Sequence, residues 1–197
     1  MPVMVRKGRD SMNANSSALT LAGAASLRDL IRDVPDFPKP GIMFKDITPL
    51  LADPAGLALA VELMAQPYRG RGVDLVVGAE SRGFIFGIAV AKALSVGFVP
   101  VRKPGKLPCR THRLEYGLEY GTDSLEIHAD AIRSGQRVLI VDDLLATGGT
   151  LAACCGLVQA LEGTVIGIVV LIELGELGGR ARLGIHEIHS IIRYAGA

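Results

Sequence analysis

The sequence predicts an α/β fold, a mainly parallel sheet flanked by helices, and three observations predict it. Short apolar runs at Val73–Ala79, Gly97–Val101, Arg137–Asp142 and Thr164–Glu173 alternate with helical patterns at Arg82–Ser95 and Thr150–Leu161. Strands separated by helices pair in parallel and are covered on both faces. The run Val138-Leu139-Ile140-Val141 stops at two adjacent carboxylates, Asp142 and Asp143, followed by a small, hydroxyl-rich and glycine-rich turn. The chain has 197 residues, 49% of them apolar, with a mean hydropathy of +0.37, enough for one well-developed core.

Taken in order, residues 1–25 are rich in Ser, Ala, Asn and Met without firm periodicity, and are expected to be a mobile extension. The domain is expected to span residues 26–197. Ser26 with Asp29 reads as a capping box, and Leu27, Leu30, Ile31 and Val34 share one face of an expected helix. Pro35, Pro38, Pro40 and Gly41 forbid helix and make a rigid turn segment. Asp53-Pro54 reads as N-cap and first residue of a helix running to about Gln66. The strands and helices named above follow. Lys103–Tyr120, long, charged and glycine-punctuated, reads as a functional loop with hairpin character. His189–Tyr194 reads as a last, shorter strand, and no internal repeat is present.

The charge balance, 21 basic residues against 20 acidic, argues against a nucleic-acid or membrane-surface protein working through bulk charge. No apolar run reaches bilayer-spanning length, and Arg6, Lys7 and Arg9 lack the apolar stretch of a signal peptide. The three cysteines, Cys109, Cys154 and Cys155, form neither a disulfide framework nor a metal-ligand spacing, so a cytoplasmic location is expected.

Open parallel sheets bind ligands outside the carboxyl ends of their strands. There the turn Ala146-Thr147-Gly148-Gly149-Thr150 can aim backbone N–H groups and two hydroxyls at an anion, with a helix dipole behind them. It is not a Walker loop, since no Gly-Lys-Ser/Thr follows the glycines. Read singly, Gly148-Gly149 is a turn, and Asp142 and Asp143 are a strand end and a helix cap. Together they suit a ligand carrying a phosphate and sugar hydroxyls.

Asp142–Thr150 resembles the phosphoribosyl-pyrophosphate signature of the type I phosphoribosyltransferases. Four further blocks, Asp36–Leu50, Gly78–Phe84, Arg102–Pro108 and Leu118–Gly121, resemble those of the adenine phosphoribosyltransferases and stand in that family's order. The resemblance runs from about residue 26 to the C-terminus. It implies a type I phosphoribosyltransferase fold with a small N-terminal hood and a mobile catalytic loop. The activity it implies is adenine plus phosphoribosyl pyrophosphate giving AMP and pyrophosphate. It also implies magnesium, carried on the substrate pyrophosphate rather than in a dedicated protein site, and a homodimer.

Ala146, Thr147, Gly148, Gly149 and Thr150 then suit the 5′-phosphate. Asp142 and Asp143 suit the ribose hydroxyls and the positive charge that develops on the sugar ring. Glu80, Ser81 and Arg82 should lie beside that loop and meet pyrophosphate, with Arg102, Lys103 and Lys106 completing the anion site. The family often has Asp at the place of Glu80. For adenine, Phe44 is the candidate stacking face, Leu144 or Leu145 closes the other side, and the Met43 backbone reads the base edge. Lys45 stands where many relatives have Arg and loses the planar fork. Glu119 is the candidate general acid/base, with Tyr120 beside it. Glu115-Tyr116-Gly117 repeats the Glu-Tyr-Gly triplet four residues earlier as a decoy.

Three alternatives compete. Ala79-Glu80-Ser81-Arg82-Gly83 also sits where a hydrolase nucleophile elbow belongs, with Asp142 and His186 or His189 in Ser–Asp–His order. A regulatory relative that binds phosphoribosyl pyrophosphate would need an added DNA-binding module, for which residues 1–25 are too short. A phosphoribosyltransferase for another purine base is the third.

Overall fold

The computed structural model describes residues 23–117 and 122–195. The expectations for residues 1–22, for Glu119 and for Tyr120 lie outside the described residues. The chain divides into two compact units, one ending at Ala60 and one beginning at Val61.

The N-terminal unit opens with a helix over residues 23–28 (α1), already formed three residues ahead of Ser26. The expected helix over Leu27–Val34 is corrected. Arg32–Val34 is a strand (β1), paired antiparallel with Phe44–Asp46 (β2), so that Arg32 faces Asp46 and Val34 faces Phe44. Pro35 biases Val34 toward extended backbone. Two cross-strand ion pairs hold the ribbon: Arg32 donates from Nε and Nη2 to Asp46 Oδ2 at 3.1 and 2.8 Å, and Lys45 Nζ to Asp33 Oδ1 at 2.7 Å. The proline-rich segment between the strands is turn and bend, as its residues require. Thr48–Ala52 is α2 and Pro54–Ala65 is α3. Asp53 Oδ1 accepts the Gly56 N–H at 2.6 Å, the expected cap of α3.

The C-terminal unit holds the sheet. Its elements are β3 (Leu75–Ala79), α4 (Arg82–Leu94), β4 (Gly97–Val101), β5 (Thr111–Gly117) and β6 (Thr122–His128). They continue with β7 (Arg137–Leu145), α5 (Gly149–Ala160), β8 (Thr164–Leu174), α6 (Gly179–Leu183) and β9 (Ile188–Tyr194). Five strands run parallel in the order β4-β3-β7-β8-β9. The hairpin character expected after Lys103 is realised as the antiparallel pair β5–β6, joined to the end of β4 by an Arg102–Glu126 bridge. β7 extends three residues beyond the expected end at Asp142, because Leu144 and Leu145 continue the ladder opposite Ile172 and Glu173 of β8.

The strands are apolar through their length because both faces are covered. Val77, Ala79, Val138, Ile140, Ile168 and Val170 pack with Leu151, Cys154, Leu157 and Val158 of α5 in one cluster, which also takes in Leu125 and Ile127 of β6. The helix α4 packs on β3, β4 and β7. Cys154 and Cys155 are buried free thiols and Cys109 is exposed. Among the described residues, no helix is long and apolar enough to cross a membrane.

Candidate active site

The strand order reverses direction between β3 and β7. From β3 the chain steps outward to β4, and from β7 it steps the other way to β8 and β9. Such a reversal leaves a crevice at the carboxyl ends of the two central strands. A cleft of about 310 Å³ lies there, lined by Ala79–Arg82 at the end of β3 and by Asp142–Leu151 at the end of β7 and the start of α5. The sequence expectation that Glu80, Ser81 and Arg82 lie beside Ala146–Thr150 is met.

Gly148 holds the turn. Its φ of +79° lies in the left-handed region that glycine adopts without strain, and it precedes the first turn of α5. No side chain caps this helix start, and Gly148, Gly149, Thr150 and Leu151 line the cleft there. Ser81, with φ +80°, makes the corresponding turn before α4.

Asp142 and Asp143 are 7% and 5% exposed, deep in the cleft wall. Burial, with the charge of Asp143 beside it, pushes the Asp142 carboxyl well above the usual aspartate range. Burial also raises Asp143, opposed by the Arg82 guanidinium at 3.0 Å. Asp142 Oδ1 accepts the Asp143 N–H at 2.9 Å.

The basic residues after β4 take other positions. Arg102, Lys103 and Lys106 are not among the residues that line this cleft. Glu80 Oε2 instead accepts Arg102 Nε at 3.1 Å and the Lys103 N–H at 2.9 Å, and the Lys106 carbonyl accepts Arg102 Nη1 at 3.3 Å. Lys103 Nζ pairs with Asp123, which also accepts the Tyr116 hydroxyl at 3.1 Å. Burial works against the Lys103 charge, but Asp123, Tyr116 and Glu80 hold its pKa above the ordinary lysine value. Burial pushes the Tyr116 hydroxyl up, and the Thr150 side chain and Lys103 oppose it. These links tie β4, the hairpin and the cleft together.

In the N-terminal unit, Phe44 meets Phe37 edge-on with ring centroids 5.0 Å apart, Met43 is half exposed, and Lys45 is bound to Asp33. Leu144 and Leu145 both line the cleft, Leu145 as a buried residue. Among the described residues, no group of three or more His, Cys, Asp or Glu is gathered as a metal would require.

The hydrolase alternative fails on geometry. No histidine lines the cleft. His189 pairs with Val169 on β9, three strands across the sheet from β3, and His186 precedes that strand, so neither stands beside Ser81.

Sequence reasoning missed Glu173, buried near the end of β8 and bound by Arg180. A lone carboxylate inside Val-Val-Leu-Ile-Glu-Leu was the available signal, since an ionised group in a buried run needs a partner.

A phosphoribosyl transferase domain model matches residues 46–192. The adenine phosphoribosyltransferase of Clostridium perfringens is 59% identical over 169 residues, spanning 86% of this chain and 98% of the relative. That of Rhodopirellula baltica is 55% identical over 170 residues, 86% of this chain and 82% of the relative. The crystal structure of adenine phosphoribosyltransferase from Thermoanaerobacter pseudethanolicus superposes with a TM-score of 0.85 at 54% identity, covering 87% of this chain and 99% of that one. The Saccharomyces cerevisiae enzyme, complexed with an imino-altritol bisphosphate and adenine, superposes with a TM-score of 0.83 at 38% identity over 87% of this chain and 99% of that one. With a sheet that reverses at paired carboxylates, a glycine turn opening α5 and these matches, the chain belongs to the adenine phosphoribosyltransferases of the phosphoribosyltransferase family.

Proposed function

We infer that the chain transfers the 5-phosphoribosyl group of phosphoribosyl pyrophosphate to N9 of adenine, giving AMP and pyrophosphate in purine salvage. The observation that carries this is the switch-point cleft, in which two buried carboxylates stand directly before the uncapped start of α5.

Ala146–Thr150 receives the 5′-phosphate on backbone N–H groups and the Thr147 and Thr150 hydroxyls. Asp142 and Asp143 accept the ribose hydroxyls. As the bond to pyrophosphate breaks, positive charge grows on the ring, and the carboxylates stabilise it. Ser81 and Arg82 meet the pyrophosphate. Glu80 orients Arg102 next to the Ser81–Arg82 turn, while Lys103 is held by Asp123. Met43, Phe44 and Lys45 serve the adenine. Glu119 handles the N9 proton, with Tyr120 beside it.

Magnesium fits this donor set as a substrate-borne ion. Asp143 is paired with Arg82 and Asp142 with a neighbouring N–H, so pyrophosphate oxygens and water would hold it. Bound there, it would offset the negative charge of the leaving group. A homodimer in the cytoplasm completes the reading.

The test is an assay of purine bases with phosphoribosyl pyrophosphate and magnesium. AMP should form far faster than GMP or IMP. Equal or greater turnover of guanine or hypoxanthine overturns the base assignment.

A further inference from the structure

The phosphate turn rests on a second layer that the mechanism does not use. Gly179, first residue of α6, lies directly behind it. A Cβ there would fall on the Ala146 carbonyl, and would come within 2.7 Å of Leu145 Cδ1 and 2.9 Å of the Gly148 nitrogen. Reciprocally, a Cβ on Gly148 would lie 2.8 Å from the Gly179 carbonyl. The two glycines let two backbones touch.

The helix α6 has only five residues and no side-chain cap, so little within it fixes its position. Its anchor is the next residue, Arg180. Arg180 donates from Nε to Glu173 Oε1 at 3.0 Å and from Nη2 to Oε2 at 2.6 Å, a two-pronged pair. It also reaches the Ile188 carbonyl at 3.1 Å and Ser190 Oγ at 3.1 Å. Glu173 is 2% exposed and accepts the Ser190 hydroxyl as well, while Arg193 Nε stands at 3.6 Å. Glu173 faces Leu145 across the β7–β8 ladder, one residue before the phosphate turn. One buried carboxylate thus gathers β8, β9 and α6 behind the turn.

We propose that Glu173 and Arg180 are positioning residues for the 5′-phosphate site. Their ion pair clamps α6 so that Gly179 supports Ala146–Gly148 in the conformation that turns its N–H groups toward phosphate. The proposal rests on the reading of Ala146–Thr150 as that site. A displacement of about 1 Å in a positioning element can cost about a hundredfold in rate, so the pair acts on binding without touching substrate.

The experiment uses the full chain and ribose 5-phosphate and pyrophosphate as separate probes, each titrated by calorimetry. Arg180→Met should weaken ribose 5-phosphate by about tenfold or more, raise KM for phosphoribosyl pyrophosphate alike, and leave KM for adenine and pyrophosphate affinity near parental values. Arg180→Lys should recover part of the loss. Gly179→Ala, which leaves the ion pair intact but crowds the turn, should show the same selectivity and keeps the test open if Arg180→Met does not fold. Lower thermal stability with parental ribose 5-phosphate affinity in Arg180→Lys and Gly179→Ala overturns the proposal. Thr147→Ala with Thr150→Ala separates the two failures. If that double variant keeps full ribose 5-phosphate affinity, the phosphate site itself is misplaced and the clamp falls with it. If it loses affinity and the α6 variants do not, only the clamp is wrong.

Discussion

Arg82 Nε lies 3.0 Å from Asp143 Oδ2, so the turn after β3 is tied by charge to the end of β7. The two strands meet at the switch point, and this pair spans it. The guanidinium is partly exposed to the cleft while the carboxylate is buried, so Arg82 can hold Asp143 and still offer N–H groups to an arriving anion. Arg82→Met should therefore weaken magnesium pyrophosphate by about tenfold or more, the loss of one charge-assisted hydrogen bond of about 1.5–3 kcal/mol. Calorimetry checks it, and unchanged pyrophosphate affinity would remove Arg82 from the site.

The Asp142 carboxyl, raised by burial and by Asp143, gives stability a signed pH dependence. The folded state holds the proton more tightly than the unfolded chain. Its contribution is complete below the ordinary aspartate pKa of 3.8 and is lost as pH rises toward the raised folded value. Glu173, Glu187 and Asp123 are lowered by their partners and act in the opposite sense. Asp142→Asn isolates the first effect, since the amide mimics the neutral acid. The melting temperature of the variant minus that of the parent should increase as pH is raised from 3.8 toward neutrality. A difference that is flat or falls would show that Asp142 is not raised.

Glu115 offers a control for the proposed general acid/base. Its side chain is largely exposed on β5, 3.5 Å from Arg113. Glu119→Gln should lower kcat by about a hundredfold, with substrate affinities changing much less. Glu115→Gln should be nearly silent. Steady-state kinetics decides, and a sensitive Glu115 would reverse the assignment.

The ribbon β1–β2 makes a sharper truncation test than an isolated helix would. A chain beginning at residue 23 keeps α1 and should make AMP at the parental rate. Deletion through Val34 strips β2 of its partner strand and leaves Lys45 and Asp46 without Asp33 and Arg32. KM for adenine should then rise by about tenfold, in keeping with lost charge-assisted bonds, while ribose 5-phosphate affinity should hardly change. Equal losses for both ligands would argue against an adenine role for this ribbon.

Much of the fold was legible because its signals are local. Gly97–Val101 is apolar, short and bounded by turn residues, and the strand has those bounds. Asp53-Pro54 announces α3 through cap chemistry contained in four residues. Leu27–Val34 was misread because its apolar spacing also suits a short helix followed by a strand. What decides it is a partner strand ten residues away and the ion pairs between them. The cleft was legible where backbone and carboxylates act together, at Asp142–Thr150. The Lys103–Asp123–Tyr116 links and the Glu173–Arg180 pair were not, since each joins residues that only the folded topology brings together.

Phe98 carries a consequence for how this chain can vary. Its ring is wedged against two glycines on different elements. A Cβ on Gly78 of β3 would lie 2.9 Å from its Cε2, and one on Gly87 of α4 would lie 2.5 Å from the same atom. Phe84, two residues after Arg82, meets the ring edge-on with centroids 5.7 Å apart. The gap between strand and helix is thus set by one aromatic ring, and the Ser81–Arg82 turn hangs from that spacing. Positions 78, 87 and 98 therefore behave as a single mutational unit. Gly87→Ala alone should be costly, and Gly87→Ala joined to Phe98→Leu less so than the sum of the two, a thermodynamic coupling readable from a four-variant denaturation cycle.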